Sequence, residues 1–89
     1  MPQREMTIVN KLGLHARAAA RFVDAASRYQ ARIEVHTPRR TVNGKSIMGL
    51  MMLAAARGTT ITVHADGEDA DQALEALEVL VMQRFGERE

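Results

Sequence analysis

The sequence predicts an α+β fold of order β-α-β-β-α-β-α, with a mostly antiparallel sheet covered by helices on one side only. Three observations predict it. Four short segments alternate apolar and polar residues, so each buries a single face. Between and after them lie stretches whose apolar residues recur at helical spacing or run nearly continuously. The length, 89 residues, suits one domain across residues 1–89 and leaves no room for a second.

The elements follow in order. Glu5 to Val9 alternates and reads as a strand, broken by Asn10-Lys11-Leu12-Gly13. A helix follows from about Ala16 to Arg28, with Ala19, Phe22, Val23 and Ala26 on its core face. Ala31 to Thr37 is a strand with Ile33 and Val35 on one side. Pro38-Arg39-Arg40 turns the chain into a short strand, Thr41 to Asn43, which completes a hairpin. Gly44-Lys45 leads into a short helix starting near Ser46, and Arg57-Gly58-Thr59 closes that region. Thr60 to His64 alternates again, with Ile61 and Val63 together, and Asp66-Gly67 turns. The last helix spans about Asp69 to Phe85 around Ala70, Ala73, Leu74, Leu77, Leu80 and Val81. The tail, Gly86 to Glu89, is expected to fray.

Composition narrows the function classes. Hydrophobic residues make up 46% and charged residues 26%, a globular balance. With no cysteine, disulfides and thiolate metal sites are excluded. His15, His36 and His64 lack metal-ligand spacing, so no metal and no cofactor is expected; His36 and His64 read as solvent-facing residues near strand ends. No stretch approaches the roughly 20 apolar residues of a membrane helix, and the first residues lack a signal-peptide pattern. The chain is therefore expected to be cytoplasmic, without membrane insertion. A net charge of +1 gives no pull toward nucleic acid, and the strands hold no aromatic on which bases would stack. Gly44-Lys45-Ser46 echoes a P-loop end, but Arg39 stands where its first glycine belongs.

The two long helices start differently. The last has Glu68, Asp69 and Asp71 at its positive end, and Asp69 with Gln72 has capping-box spacing. The first, Leu14-His15-Ala16-Arg17-Ala18-Ala19, has no acid there and carries a cation, Arg17, where a cation is unfavourable by ~0.3–1 kcal/mol. His15 stands where Ser, Thr, Asp or Asn would cap. The backbone N–H groups of Ala16, Arg17 and Ala18 are left without an obvious acceptor. Such amides plus a guanidinium form a phosphate receptor, and an imidazole at its mouth adds a nucleophile. The same residues also read as a solvated histidine, a surface arginine and an ordinary turn at Gly13. The residues alone leave both readings open.

Gly13-Leu14-His15-Ala16-Arg17-Ala18-Ala19 resembles the active-site segment of HPr, the histidine-containing phosphocarrier family of the phosphoenolpyruvate-dependent phosphotransferase system. Val42-Asn43-Gly44-Lys45-Ser46-Ile47-Met48-Gly49-Leu50-Met51 resembles that family's second signature. The likeness runs over nearly the whole chain. It implies an open-faced β-sandwich: a four-stranded antiparallel sheet with three helices on one face. It implies a covalent phosphoryl carrier rather than an enzyme. On this reading His15 accepts a phosphoryl group from phosphoenolpyruvate-charged enzyme I and passes it to a IIA-type protein. Arg17 matches the residue that assists the phosphoryl group. Ser46 matches a second, regulatory site in part of the family, served by an ATP-dependent HPr kinase/phosphorylase. Many relatives carry proline where this chain has Ala18, which restores one N–H donor and removes some rigidity.

The short helix is apolar nearly all round, so it is either buried or presents a patch. Leu50 and Leu53 suit the sheet side. Ile47, Met48 and Met51, with Ala16 and Ala20 of the first helix, are the expected partner contact, methionine being an adaptable surface. Ser46 also reads as a plain helix cap. The chain is expected to act as a monomer. The alternatives are a regulatory member of the nitrogen-related branch of the same system, or a small ligand-sensing α+β module; the latter gives no account of the His15–Arg17 helix start.

Overall fold

The computed structural model describes residues 2–89. Its strands are β1 (Gln3–Thr7), β2 (Arg32–His36), β3 (Thr41–Asn43) and β4 (Thr60–Asp66); its helices are α1 (Ala16–Ala26), α2 (Ile47–Met52) and α3 (Ala70–Met82). A 3-10 turn, Arg84–Gly86, follows. The sheet has four strands in the order β1-β4-β2-β3, every neighbouring pair antiparallel. Three helices cover one face, as the sequence pattern predicts.

The register explains that one-sidedness. Met6 pairs with Ile61, and Val35 stands between Val63 and Val42, so these apolar side chains share the helix side. Phe22 of α1, Leu50 of α2, and Leu74, Leu77 and Val81 of α3 close over them, all essentially fully buried. The intervening row, Glu5, Thr62, His36 and Thr41, lies on the uncovered face.

Several boundaries differ from the sequence reading. β1 runs Gln3–Thr7, not Glu5 to Val9, because its ladder with β4 spans Gln3↔His64 to Thr7↔Thr60. Alternation reports which face points inward, and Ile8 is indeed fully buried, but it does not report where the partner strand ends. β2 is shorter than Ala31 to Thr37 for the same reason, and β4 is longer, since Asp66 pairs with Arg32. α1 stops at Ala26, two residues early: Arg28 and Tyr29 donate to Ala25 and Ala26, three residues back, which tightens the last turn. On α1 the buried positions are Ala18, Ala19, Phe22 and Ala26; Val23 is half-buried, as is Leu80 on α3.

Four corrections are larger. α3 ends at Met82, not Phe85. Arg84, Phe85 and Gly86 take left-handed φ angles of 59°, 54° and 79°, and Phe85 turns back into the core. The tail after it does not fray; residues 87 and 89 dock against the segment before α1. Asp69 does not form a capping box with Gln72. Its carboxylate accepts the N–H groups of Gln30 and Ala31, both at 2.8 Å, tying the start of α3 to the approach to β2. His36 and His64 do lie on the uncovered face but are half-buried. They are diagonal neighbours across β2 and β4, with ring centroids 4.1 Å apart, and His64 lies two residues inside its strand.

Candidate functional site

His15 is the N-cap residue of α1, in extended conformation (φ −79°, ψ 179°), and its side chain does not cap the helix. The first helical bond runs from the Ala19 N–H to the His15 carbonyl at 2.8 Å. The N–H groups of Ala16, Arg17 and Ala18 lie upstream of that bond and have no carbonyl of the helix to serve. No acidic side chain occupies the first turn. The first turn of the helix itself therefore supplies no counter-charge to its partial positive end, and the Arg17 guanidinium, exposed, stands beside it.

The approach to His15 is built rigidly. Gly13 takes φ +71°, a conformation that side-chain-bearing residues rarely adopt, and its Cα lies against the Ala55 backbone where a Cβ would collide. Leu14 is buried and donates its N–H to the Ala55 carbonyl at 2.9 Å. His15 donates its own N–H to the Gly13 carbonyl at 3.0 Å. The imidazole is thus presented on a tight, anchored corner, with 29% of its side chain exposed.

A shallow cleft opens there, walled by Lys11, Leu12, His15, Ala16 and Arg17 on one side and by Glu87, Arg88 and Glu89 on the other. The tail wall was not anticipated. His15 Nε2 and Glu87 Oε2 lie 2.5 Å apart. Glu87 Oε1 accepts from Asn10 Nδ2 at 3.0 Å, and the same Nδ2 donates to the Gly13 carbonyl at 2.8 Å. Asn10 is fully buried. Partial burial disfavours the Glu87 carboxylate, but the hydrogen bonds from Asn10 and His15 and the charges of His15 and Arg17 outweigh it, and the group titrates below its ordinary value. Glu87 is therefore ionised at neutral pH. An ionised carboxylate only accepts, so the proton of the short contact sits on Nε2 and Nδ1 is the free ring nitrogen.

A model of the phosphorylation site of the phosphotransferase-system HPr component matches residues 2–83. The chain belongs to the HPr family. It is 54% identical over 90 residues to the phosphocarrier protein HPr of Pseudomonas aeruginosa, the alignment covering all of both chains. It is also 44% identical over 85 residues to the phosphocarrier protein NPr of Shewanella violacea, covering 96% of this chain and 93% of that one. A crystal structure of HPr from Thermoanaerobacter tengcongensis superposes with a TM-score of 0.95 at 42% identity, covering both chains fully. Another from that organism, described as an HPr dimer, gives 0.78 at 42% identity over 98% of this chain and 100% of that one. As an HPr-family phosphocarrier of the phosphotransferase system, the chain is not an enzyme. Among the described residues, no helix is long and apolar enough to cross a membrane.

Against the other expected HPr positions, the structure separates two regions. His15, Ala16 and Arg17 line the cleft, while Ala18 is buried behind them. Ser46 is outside the cleft. It caps α2, its Oγ accepting the Gly49 N–H at 3.0 Å. α2 packs against α1, and on it Ile47, Met48 and Met51 are 42%, 73% and 43% exposed while Leu50 is fully buried and Leu53 half-buried. Leu50 and Leu53 thus lie toward the sheet, as expected, and Ala16 and Ala20 are exposed on α1. Leu12 and Met52 are further exposed apolar side chains that periodicity did not single out. Asn10 and Glu87 were missed too. The one sequence signal for the tail was Phe85, a large apolar residue too valuable to the core to leave in a frayed end.

Proposed function

We propose that His15 is the phosphoryl acceptor of this HPr-family carrier, charged by phosphoenolpyruvate-loaded enzyme I and discharged to a IIA-type protein in sugar uptake or its regulation. The observation that carries this reading is the helix end itself: a partly exposed imidazole at the N-cap of α1, beside unserved amides and Arg17, with no acid in the first turn. Phosphoryl transfer needs chiefly positioning and charge stabilisation, and amides and a guanidinium supply both without a metal. Arg17 stabilises the phosphoryl group, and the N–H groups of Ala16, Arg17 and Ala18 receive its oxygens.

The exposed apolar side chains of Ile47, Met48 and Met51, with Ala16 and Ala20, are the docking surface for enzyme I and IIA-type proteins in turn. Ser46 is proposed as a regulatory phosphorylation site for an HPr kinase/phosphorylase: a phosphate there would add negative charge to that surface. The carrier is proposed to work in the cytoplasm as a monomer, one HPr domain over residues 1–89.

Intact-protein mass after incubation with enzyme I, Mg²⁺ and phosphoenolpyruvate tests the acceptor. One acid-labile phosphoryl group is expected on the wild type and none on His15→Ala. A phosphoryl group persisting on His15→Ala, or none on folded wild type with its own organism's enzyme I, would overturn the assignment. The likeness to an NPr protein favours a second reading, membership of the nitrogen-related branch. Which purified IIA protein takes the phosphoryl group decides between the branches.

A further inference from the structure

The tail after α3 is held in a conformation that the local sequence disfavours. Arg84 and Phe85 are non-glycine residues at φ 59° and 54°, followed by Gly86 at 79°. Such backbone persists only where its surroundings over-determine it. Here they do so on both sides of Glu87. Before it, the Phe85 ring is fully buried and the Arg21 guanidinium donates to the Phe85 carbonyl. After it, the Glu89 carbonyl accepts the Lys11 N–H. Between these anchors the Glu87 side chain, 15% exposed, is delivered to the His15 ring.

We propose that this strap makes Glu87 a positioning residue for phosphoryl acceptance: its carboxylate, set by Asn10, holds the His15 imidazole as the Nε2–H tautomer and so keeps the Nδ1 lone pair free for the incoming group. The proposal rests on the reading of His15 as the acceptor.

The geometry requires a carboxylate at position 87. Asn10 Nδ2 donates at once to the Gly13 carbonyl and to Glu87 Oε1, so the orientation of that amide is fixed and its partner on residue 87 has to accept. Glu87 Oε2 meets His15 Nε2. Only a carboxylate offers an acceptor to each with separate oxygens. A neutral imidazole has one N–H and one lone pair, and fixing the first on Nε2 leaves the second on Nδ1. In the forward step the Nδ1 lone pair forms the new P–N bond while the bond from phosphorus to the donor breaks, its electron pair staying with the donor. The ring becomes cationic and keeps its Nε2 proton, facing the Glu87 carboxylate, which offsets the new charge. On discharge the P–Nδ1 bond breaks, its pair returns to Nδ1, and the ring is neutral again. No proton enters or leaves the chain in either direction. A carboxylate that orients an imidazole without itself taking the proton acts the same way in hydrolase triads.

Glu87→Gln in the full chain is the test, read in two ways. Ring nitrogen-15 shifts of His15 report which nitrogen bears the proton, and single-turnover phosphorylation by charged enzyme I reports the rate. With its carbonyl turned to Asn10, the Gln amide presents N–H to Nε2 and turns the ring to Nδ1–H. The wild type is expected as Nε2–H, the Gln variant as Nδ1–H, with a phosphorylation rate constant lower by about tenfold or more and an unchanged unfolding midpoint. Glu87→Ala is expected to lose the tautomer preference and to fall between the two in rate. A wild-type tautomer or a wild-type rate in the Gln variant overturns the proposal. Failure of the wild type to accept phosphoryl at all would instead sink the acceptor reading, while the nitrogen-15 shifts would still judge the strap.

Discussion

Leu14 donates its backbone N–H to the Ala55 carbonyl at 2.9 Å, pinning the corner that carries His15 to the segment after α2. The neighbouring Gly13 is what permits so close an approach. At φ +71°, with a Cβ directed at the Ala55 carbonyl, any other residue is strained and in collision with backbone. Gly13→Ala is expected to destabilise the fold by at least ~1–2 kcal/mol, the cost of a left-handed non-glycine residue alone. Urea unfolding measures it; an unchanged midpoint would show that the corner yields without cost.

The cap of α2 is separable from any modification of it. Ser46 Oγ accepts the Gly49 N–H at 3.0 Å, so Ser46→Ala is expected to lose about 1 kcal/mol, within the ~0.5–2 kcal/mol typical of a lost N-cap. Equilibrium denaturation gives the number. Phosphoryl acceptance at His15 is expected to survive, since Ser46 does not line the cleft.

Met48 and Leu50 belong to the same helix but stand at opposite extremes, 73% and 0% exposed. Met48→Asp is expected to leave the unfolding midpoint nearly unchanged and to weaken enzyme I binding about tenfold or more, because a charge would have to be desolvated at the contact. Leu50→Ala is expected to cost ~2–5 kcal/mol in stability. Calorimetric titration with enzyme I paired with thermal unfolding separates the two; unchanged affinity in the Met48 variant would remove α2 from the docking surface.

Asp69 sets an acid limit on stability. The Gln30 N–H hydrogen bond, opposed by partial desolvation and reinforced by the Ala31 N–H, its own N–H and the Lys45 charge, holds its carboxyl below the ordinary value. A carboxyl whose pKa is depressed on folding contributes stability that is complete above its unfolded value of about 3.9 and is lost as the pH falls through the lower folded value. Asp69→Asn is therefore expected to unfold at lower urea than wild type at pH 7, with the gap narrowing below about pH 4. A gap independent of pH would assign the loss to geometry rather than to ionisation.

Local physics made much of the molecule readable. The strands and the two long helices were legible because each buries one face, and Phe22, Ile33, Val35, Leu74 and Leu77 announce that face by spacing alone. The helix start at His15 was legible for the opposite reason: the charge rule that holds at α3, where Asp71 stands in the first turn, is broken there, and such local conflicts concentrate at functional sites. The exposed side of α2 followed from counting more apolar residues than one helix face can bury.

Tertiary structure alone decided the rest. Glu87 is 72 positions from His15 and 77 from Asn10, so no periodicity links them. The tail looked ready to fray because it is short and charged, but the buried Phe85 and the Arg21 guanidinium turn it back, and Glu87 and Glu89 then bond to the segment before α1. Asp69 had the spacing of a capping box, yet the N–H groups of Gln30 and Ala31, nearly 40 residues upstream (38 from Ala31), offered two acceptorless donors at 2.8 Å and took it. The sequence by itself determined which residues turn inward and where a helix starts with neither a capping side chain nor an acid in its first turn. Which distant groups came to stand beside that helix end was settled by packing, because contacts between chain segments are chosen by the whole core closing at once and not by the propensities of either segment.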